Sequence, residues 1–237
     1  MMDMINWQFL FNTFFVALSG VPIALLVTVV SLFIAVPLGF LLALARVYEV
    51  PVINFFAKIY ISFVRGTPVI IQIFILYATI PLLLNGLFEK YNIDYPIYDV
   101  NPLWYAFIIF SFNTAAVLIE VFRSALQTVP KGQIEAAQSV GLTTAQAYRR
   151  IIIPQALVSA MPNLCTATIN LIKATSLGYA ISLQEITLKA KVEANFGYNY
   201  LEAYIDIFLV YLLVCMTVEY LFKWSEKRLS RYKLATV

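Results

Sequence analysis

Long runs of apolar residues alternate with short polar segments along this chain. A helix needs roughly 20 mainly apolar residues to cross the hydrocarbon core of a bilayer. Five runs meet that requirement, and they predict membrane spans at about residues 22–45, 53–84, 103–126, 156–182 and 203–222. The second run is longer than one span requires and contains Pro68, which predicts a kink in its helix.

A shorter apolar and aromatic segment, Trp7–Ser19, precedes the first predicted span. It is followed by Gly20 and Pro22 and is too short to cross a bilayer by itself. We interpret it as a helix in the membrane interface, and the alternative is an extension of the first span. The sequence thus predicts an all-α membrane protein, with residues 1–237 forming a single transmembrane domain of five core helices and this short interfacial helix.

The composition supports a membrane protein and excludes several kinds of site. Hydrophobic residues make up 62% of the 237 positions and charged residues 12%, whereas a soluble domain has roughly 45–50% and about 25%. The chain has no histidine, which excludes Ser–His triads and most zinc sites, so no catalytic or metal-binding residues are predicted. A net charge of +3 is too small to indicate a nucleic-acid partner. Cys165 and Cys215 lie in apolar runs, which does not support a disulfide.

The distribution of lysine and arginine predicts the orientation, because these residues are more frequent on the cytoplasmic side. With the N-terminus outside, the outer segments hold only Lys90, Lys189 and Lys191. The inner segments then hold ten basic residues: Arg46, Lys58, Lys131, Arg149, Arg150, Lys223, Lys227, Arg228, Arg231 and Lys233. We therefore predict an outer N-terminus and a cytoplasmic C-terminus.

The predicted cytoplasmic connection at residues 129–154 is longer than a simple turn. Its pattern predicts two short helices, Gln133–Val140 and Thr144–Ile152, separated by Gly141. Gly141 fits the left-handed conformation that ends many helices. Glu135 lies near the start of the first helix, where the helix dipole favours an anion. A compact helix of this kind suits insertion into a groove on another protein.

This connection resembles the cytoplasmic signature of the permease subunits of bacterial ABC importers. The signature is Glu-Ala-Ala, three residues, Gly, nine residues and Ile-x-Leu-Pro. The chain matches it with Glu135, Ala136, Ala137, Gly141, Ile151 and Pro154, and has Ile153 where leucine is usual.

Three further segments resemble the polar amino-acid branch of that family. They are Phe63–Pro68 with Gln72, Ser111–Ala116 with Glu120 and Arg123, and Lys173–Leu177, in which Ala174 replaces the usual acid. The resemblance extends from about residue 25 to residue 228.

The resemblance implies the fold of a type I importer permease and a set of partners. A second permease subunit, either another copy or a paralogue, would enclose one translocation path. A cytoplasmic ABC ATPase dimer would bind ATP and magnesium, and an extracytoplasmic protein would deliver the solute. The chain has no Gly-x-x-x-x-Gly-Lys-Ser/Thr motif, so we expect neither ATP hydrolysis nor a cofactor in this subunit. The implied location is the bacterial cytoplasmic (inner) membrane.

The resemblance also implies which residues couple the chain to the ATPase. They are Glu135, Ala136, Ala137 and Gly141, with Arg149 and Arg150 as further candidates. Basic residues just inside a membrane also orient the chain or bind lipid headgroups, so the role of the two arginines stays open.

Four residues are candidates for substrate binding: Gln72, Asn113, Lys173 and Ser176. Lys173 follows Pro154 by 19 residues, or about 28 Å of helix, in the outer half of its span. It either meets the carboxylate of an amino acid, reaches the headgroups, or pairs with an acid. Gln72 and Asn113 either bind a polar solute or hold two helices together.

The favoured function is the permease of an ATP-driven amino-acid importer. Ala174 disfavours lysine- and arginine-like solutes, and cystine or another neutral polar amino acid is the best guess. The alternatives are an importer permease for a different small solute and a secondary carrier that works alone, which would leave the helical cytoplasmic connection without a purpose.

Overall fold

The computed structural model describes residues 5–234, with side chains up to residue 229, and within that range every regular element is helical. Arg231 and Lys233, which contribute to the predicted orientation, have side chains outside the described residues. The helices are α1 Trp7–Leu18, α2 Val21–Val47, α3 Pro51–Gly66, α4 Val69–Lys90, α5 Pro102–Gln127, α6 Gly132–Ser139, α7 Thr144–Ala147, α8 Ile153–Thr175, α9 Ile186–Gly197 and α10 Tyr200–Leu234. Short 3₁₀ turns cover Ile97–Asp99 and Ser176–Ile181, and a π-helical turn covers Tyr148–Ile152.

Five segments of the described chain are long and apolar enough to span a membrane. They are Trp7–Val47, Val69–Lys90, Pro102–Gln127, Thr144–Ile181 and Tyr200–Leu229. Where each segment enters and leaves the bilayer stays a prediction.

The second predicted span is broken rather than kinked at Pro68. α3 ends at Gly66, and Thr67 and Pro68 are extended, with φ −122°, ψ 147° and φ −62°, ψ 131° respectively. A proline disfavours the helical conformation of the residue before it, and it lacks the N–H that would continue the helix. The prediction of one kinked helix over 53–84 was wrong: the chain forms two helices, and the second extends to Lys90.

The fourth predicted span is longer than expected. Thr144–Ile181 is one helical stretch of 38 residues that joins α7 to α8. The π-helical turn Tyr148–Ile152 lies directly before Pro154, which has no N–H to continue the hydrogen bonds of a regular helix. At 1.5 Å per residue the stretch is about 57 Å long. Part of it therefore lies outside the hydrocarbon core of a bilayer about 30 Å thick.

α1 is a separate helix, joined to α2 by a turn at Ser19–Gly20. Gly20 touches the start of α9, and a Cβ on it would lie 2.4 Å from the backbone nitrogen of Ile186. Lys189 of α9 donates hydrogen bonds to the Ser19 carbonyl and hydroxyl, at 3.2 and 2.9 Å. The N-terminal segment is thus fixed to the α9–α10 side of the protein, and its depth in the membrane stays a prediction.

α5 lies at the centre of the helix bundle and is packed closely against α2. Three small residues of α2, spaced by four, are buried against α5. They are Ala35, Gly39 and Ala43. A Cβ on Gly39 would lie 2.9 Å from the Cβ of Leu118. Small residues at this spacing allow two membrane helices to approach closely. The α2–α5 pair is thus the frame on which α3, α4 and α8 pack.

Candidate coupling loop and translocation groove

The connection at residues 129–154 forms the two short helices that its sequence predicts. α6 carries Glu135 in its first turn, and Gly141 follows it with φ +85°, which confirms the predicted left-handed conformation. Thr143 caps α7 through a capping box with Gln146. This cap satisfies backbone donors that would otherwise be unpaired at the start of the helix. The connection therefore has a defined shape.

α6 packs against the bundle by one face and leaves the other uncovered. Ala137 is buried, and Ile134 packs against the buried cluster that includes Leu126 of α5 and Ala156 of α8. Glu135, Ala136 and Val140 are exposed. The exposed face is thus available to a partner chain. Contact with an ATPase through this face stays a prediction.

Arg149 and Arg150 lie on the π-helical turn and are exposed. They line a shallow pocket with Ala145 and Gln146, and neither forms an ion pair with a described residue. On the opposite side of the turn, the Tyr148 ring contacts Tyr48 at the end of α2, with 6.0 Å between ring centroids. Their predicted roles, contact with the ATPase or with lipid headgroups, both stay open.

Glu120 is the centre of an ion-pair cluster near the predicted cytoplasmic end of α5. It pairs with Arg46 of α2 and with Arg123, whose Nη2 lies 2.9 Å from Glu120 Oε2. Arg123 also donates to Gln127 at 2.8 Å. The sequence puts Glu120 and Arg123 three residues apart on one helix, a spacing at which two side chains can pair. It gave no indication of Arg46, because that residue is 74 positions away in the chain.

Gln72 holds the broken second span together. Its Nε2 lies 2.8 Å from the Val64 carbonyl and 3.1 and 2.7 Å from the Thr67 carbonyl and hydroxyl. Its Oε1 accepts a hydrogen bond from Asn113 of α5 at 3.1 Å. The side chain is 4% exposed. The Gln72 amide thus donates to carbonyls at the end of α3 that have no helical partners because of the break at Pro68. A substrate role for Gln72 and Asn113 stays a prediction.

Lys173 belongs to a polar stripe on α8. Asn163, Thr166, Asn170 and Lys173 follow one another at intervals of three and four residues and are all exposed. Lys173 forms no ion pair with a described residue. The Ser176 hydroxyl donates to the Lys173 carbonyl at 2.6 Å. Lys173 and Ser176 are therefore neighbours, while no hydrogen bond in the described chain joins them to Gln72 or Asn113.

A groove between α8 and α10 runs along this stripe. Its α8 wall holds Cys165, Thr166, Asn170 and Lys173, and its α10 wall holds Glu219, Phe222, Lys223 and Glu226. Its volume is about 410 Å³. Charged and amide groups on a membrane-spanning surface are costly against lipid, so this face requires water, solute or protein beside it.

A buried carboxyl at the start of α9, that of Glu185, is a feature that the sequence did not reveal. Glu185 is 0% exposed and accepts hydrogen bonds from the backbone of Thr187 and Leu188 and from the Tyr211 hydroxyl, at 2.8, 3.0 and 2.7 Å. Burial raises the pKa of Glu185 from 4.5 to about 7, although these donors lower it. Its position directly before α9 indicates a helix cap, which is the only sequence signal for it.

Comparisons with known proteins identify the family. Residues 35–231 match the family model described as the binding-protein-dependent transport system inner membrane component. The chain belongs to this family. It is therefore the permease component of an ABC importer, an integral protein of the inner membrane and not the subunit that hydrolyses ATP. The predicted resemblance and fold class are confirmed.

Two relatives and one solved structure resemble this permease over most of its length. The L-cystine transport system permease protein TcyL of Bacillus subtilis (strain 168) is 38% identical over 89% of this chain and 85% of its own. The probable amino-acid permease protein YxeN of the same organism is 34% identical over 97% and 98%. A crystal structure of an amino acid ABC transporter with histidines has a TM-score of 0.76 at 27% identity, covering 94% of this chain and 99% of that chain.

Proposed function

We propose that this permease carries a neutral polar amino acid, with cystine as the first candidate, across the inner membrane. The names of the two relatives support an amino acid. The observation that carries the proposal is the polar stripe on α8, which ends at a lysine without an ion-pair partner among the described residues. A carboxylate that leaves water needs a compensating charge or several donors. Lys173 and the amide of Asn170, one turn before it, supply both.

Energy for transport comes from a partner ATPase in this proposal. The family's name supports a binding protein that delivers the solute. The exposed face of α6 and the basic residues Arg149 and Arg150 contact the ATPase dimer, which binds ATP and magnesium. Closure of that dimer moves the coupling helices and opens the path outward, and the binding protein then releases its solute. A second permease subunit, the same chain or a paralogue, closes the other side of the path.

The proposed orientation has the N-terminus outside and the C-terminus in the cytoplasm. The basic residues of the connection at 129–154 and of the end of α10 then lie on the side where lysine and arginine are favoured. The Glu120 cluster supports this orientation, since Arg46 and Arg123 lie near the ends of α2 and α5 that the proposal puts in the cytoplasm.

Replacing Lys173 by methionine tests the substrate role. The change keeps much of the length of the side chain and removes its charge. We expect cystine uptake by cells that contain the complete transporter to fall at least tenfold, because an ion-paired contact is worth more than about 1.4 kcal/mol. The permease should remain at normal abundance in the membrane, since Lys173 is exposed and forms no ion pair with a described residue.

The matched control is Lys227→Met, which removes an exposed lysine of α10 that does not line the groove. Uptake should stay within about twofold of the wild type in this control, as for most exposed positions. Normal uptake with Lys173→Met at normal abundance would refute the substrate role. Uptake by purified permease in liposomes without an ATPase would instead favour a secondary carrier.

A further inference from the structure

The groove between α8 and α10 carries charges of both signs. Lys173 lies in its α8 wall, and Glu219 and Lys223 lie in its α10 wall, where they form an ion pair of 2.6 Å. The side chains of Glu219 and Lys223 are 45% and 66% exposed in the isolated chain. Both groups of this pair therefore face open space in the groove.

Lys173 and Glu219 line the same groove from opposite walls. Lys173 lies within electrostatic range of Cys215, and Glu219 is four residues further along α10. Four residues correspond to about 6 Å along a helix. Cys165 lies within electrostatic range of Glu219 and Lys223, so it lies beside the pair on the opposite wall.

An α-amino acid carries a carboxylate and an ammonium group on the same carbon. A site for it needs a cation and an anion about one helical turn apart, with polar groups between them. The groove supplies this arrangement with Lys173, Asn170 and Glu219. Lysine and asparagine can donate to the carboxylate, and the Glu219 carboxylate can accept from the ammonium group.

We propose that Glu219 binds the ammonium group of the transported amino acid, and that this group displaces Lys223 while Lys173 binds the carboxylate. The proposal rests on the proposed function and adds the residue that recognises the second charge of the substrate. The displacement is feasible because exposed ion pairs contribute little to stability. Lys223, which is 66% exposed, can turn into water when it is released.

Cys165 provides a native probe of this groove. The complete transporter in lipid nanodiscs is treated with N-ethylmaleimide, and alkylation of Cys165 is followed by mass spectrometry, with the buried Cys215 as an internal reference. S-methyl-L-cysteine, a neutral amino acid, should slow alkylation at Cys165. Its N-acetyl derivative, which lacks the ammonium group, and its methyl ester, which lacks the carboxylate, should not.

Variants of Glu219 then test the assignment. In Glu219→Gln the concentration of S-methyl-L-cysteine that gives half-maximal protection should rise at least about tenfold, as expected for loss of a charged hydrogen bond. Glu219→Asp keeps the charge and should restore most of the protection. Lys227→Met, whose side chain does not line the groove, should match the wild type.

Two results would overturn the proposal. One is protection in Glu219→Gln equal to that of the wild type. The other is a failure of S-methyl-L-cysteine to protect Cys165 from alkylation in a complete transporter that takes up amino acids. That result would mean that the groove is not on the translocation path. In both cases uptake by the complete wild-type transporter still measures the proposed function separately.

Discussion

The buried Glu185 predicts a pH dependence of stability that a single substitution should remove. Its carboxyl caps α9 and accepts a hydrogen bond from the Tyr211 hydroxyl of α10, so it joins these two helices. Burial outweighs the three donors and raises its pKa from 4.5 to about 7. The folded protein therefore holds this proton more tightly than the unfolded chain. Its contribution to the free energy of unfolding is complete below pH 4.5 and is lost as the pH rises through 7.

The magnitude follows from the difference of about 2.5 between the two pKa values. One pKa unit corresponds to about 1.36 kcal/mol, so the stabilisation lost between pH 4.5 and pH 8 is about 3 kcal/mol. The side chain is fully buried, so no reduction for solvent exposure applies. For a chain of this length a change of that size corresponds to roughly 6–12 °C in melting temperature.

Glu185→Gln keeps the shape of the side chain and mimics its neutral form at every pH. The measurement is the thermal unfolding of purified permease in detergent at pH 5, 6, 7 and 8, for both proteins. We expect the wild type to lose stability across this range and the variant to lose much less. The difference between the two curves isolates Glu185, because other titrating groups are common to both. Parallel curves would refute the reasoning, since Glu185 would then be ionised in the folded protein across the range.

Three further predictions concern topology, coupling and packing. A cysteine placed in the Asn85–Pro102 segment should react with an impermeant thiol reagent from outside, and one in the Arg228–Val237 tail should not; the reverse labelling would overturn the proposed orientation. Gly141→Val forces a β-branched residue to φ +85°, at a local cost of about 1–2 kcal/mol, and Glu135→Lys reverses the charge on the exposed face of α6. Both variants should lower uptake per ATP hydrolysed at normal membrane abundance. Normal coupling in both would remove the evidence for a coupling role. Gly20→Ala introduces a Cβ 2.4 Å from the α9 backbone. It should lower the melting temperature by several degrees, as expected for about 1–3 kcal/mol of overpacking. An unchanged melting temperature would show that α1 and α9 can separate at no cost.

The class of protein could be predicted from the sequence because its signals are local. Apolar runs of membrane length and the spacing from Glu135 to Pro154 are visible without three-dimensional information. The left-handed Gly141 is of the same kind, since a glycine between two helical patterns has few other functions. Such features depend on neighbouring residues alone.

The features that the sequence did not reveal depend on packing between distant segments. Arg46 meets Glu120 only because small residues let α2 and α5 approach closely. Gln72 is buried because the break at Pro68 leaves carbonyls that need a donor nearby. The strength of that break was also misjudged, because apolar residues continue on both sides of Pro68 and hide the change of direction.

The continuous helical stretch Thr144–Ile181 is long enough to transmit a tilt from one of its ends to the other. Its length is about 57 Å, so a tilt of about 10° around its midpoint moves each end by about 5 Å, in opposite directions. Tyr148, near one end of the stretch, contacts Tyr48 at the end of α2, and Lys173 lies in the other half. We therefore expect a sideways push near Arg149 to displace the level of Lys173 in the opposite direction, provided that the π-helical turn Tyr148–Ile152 transmits it.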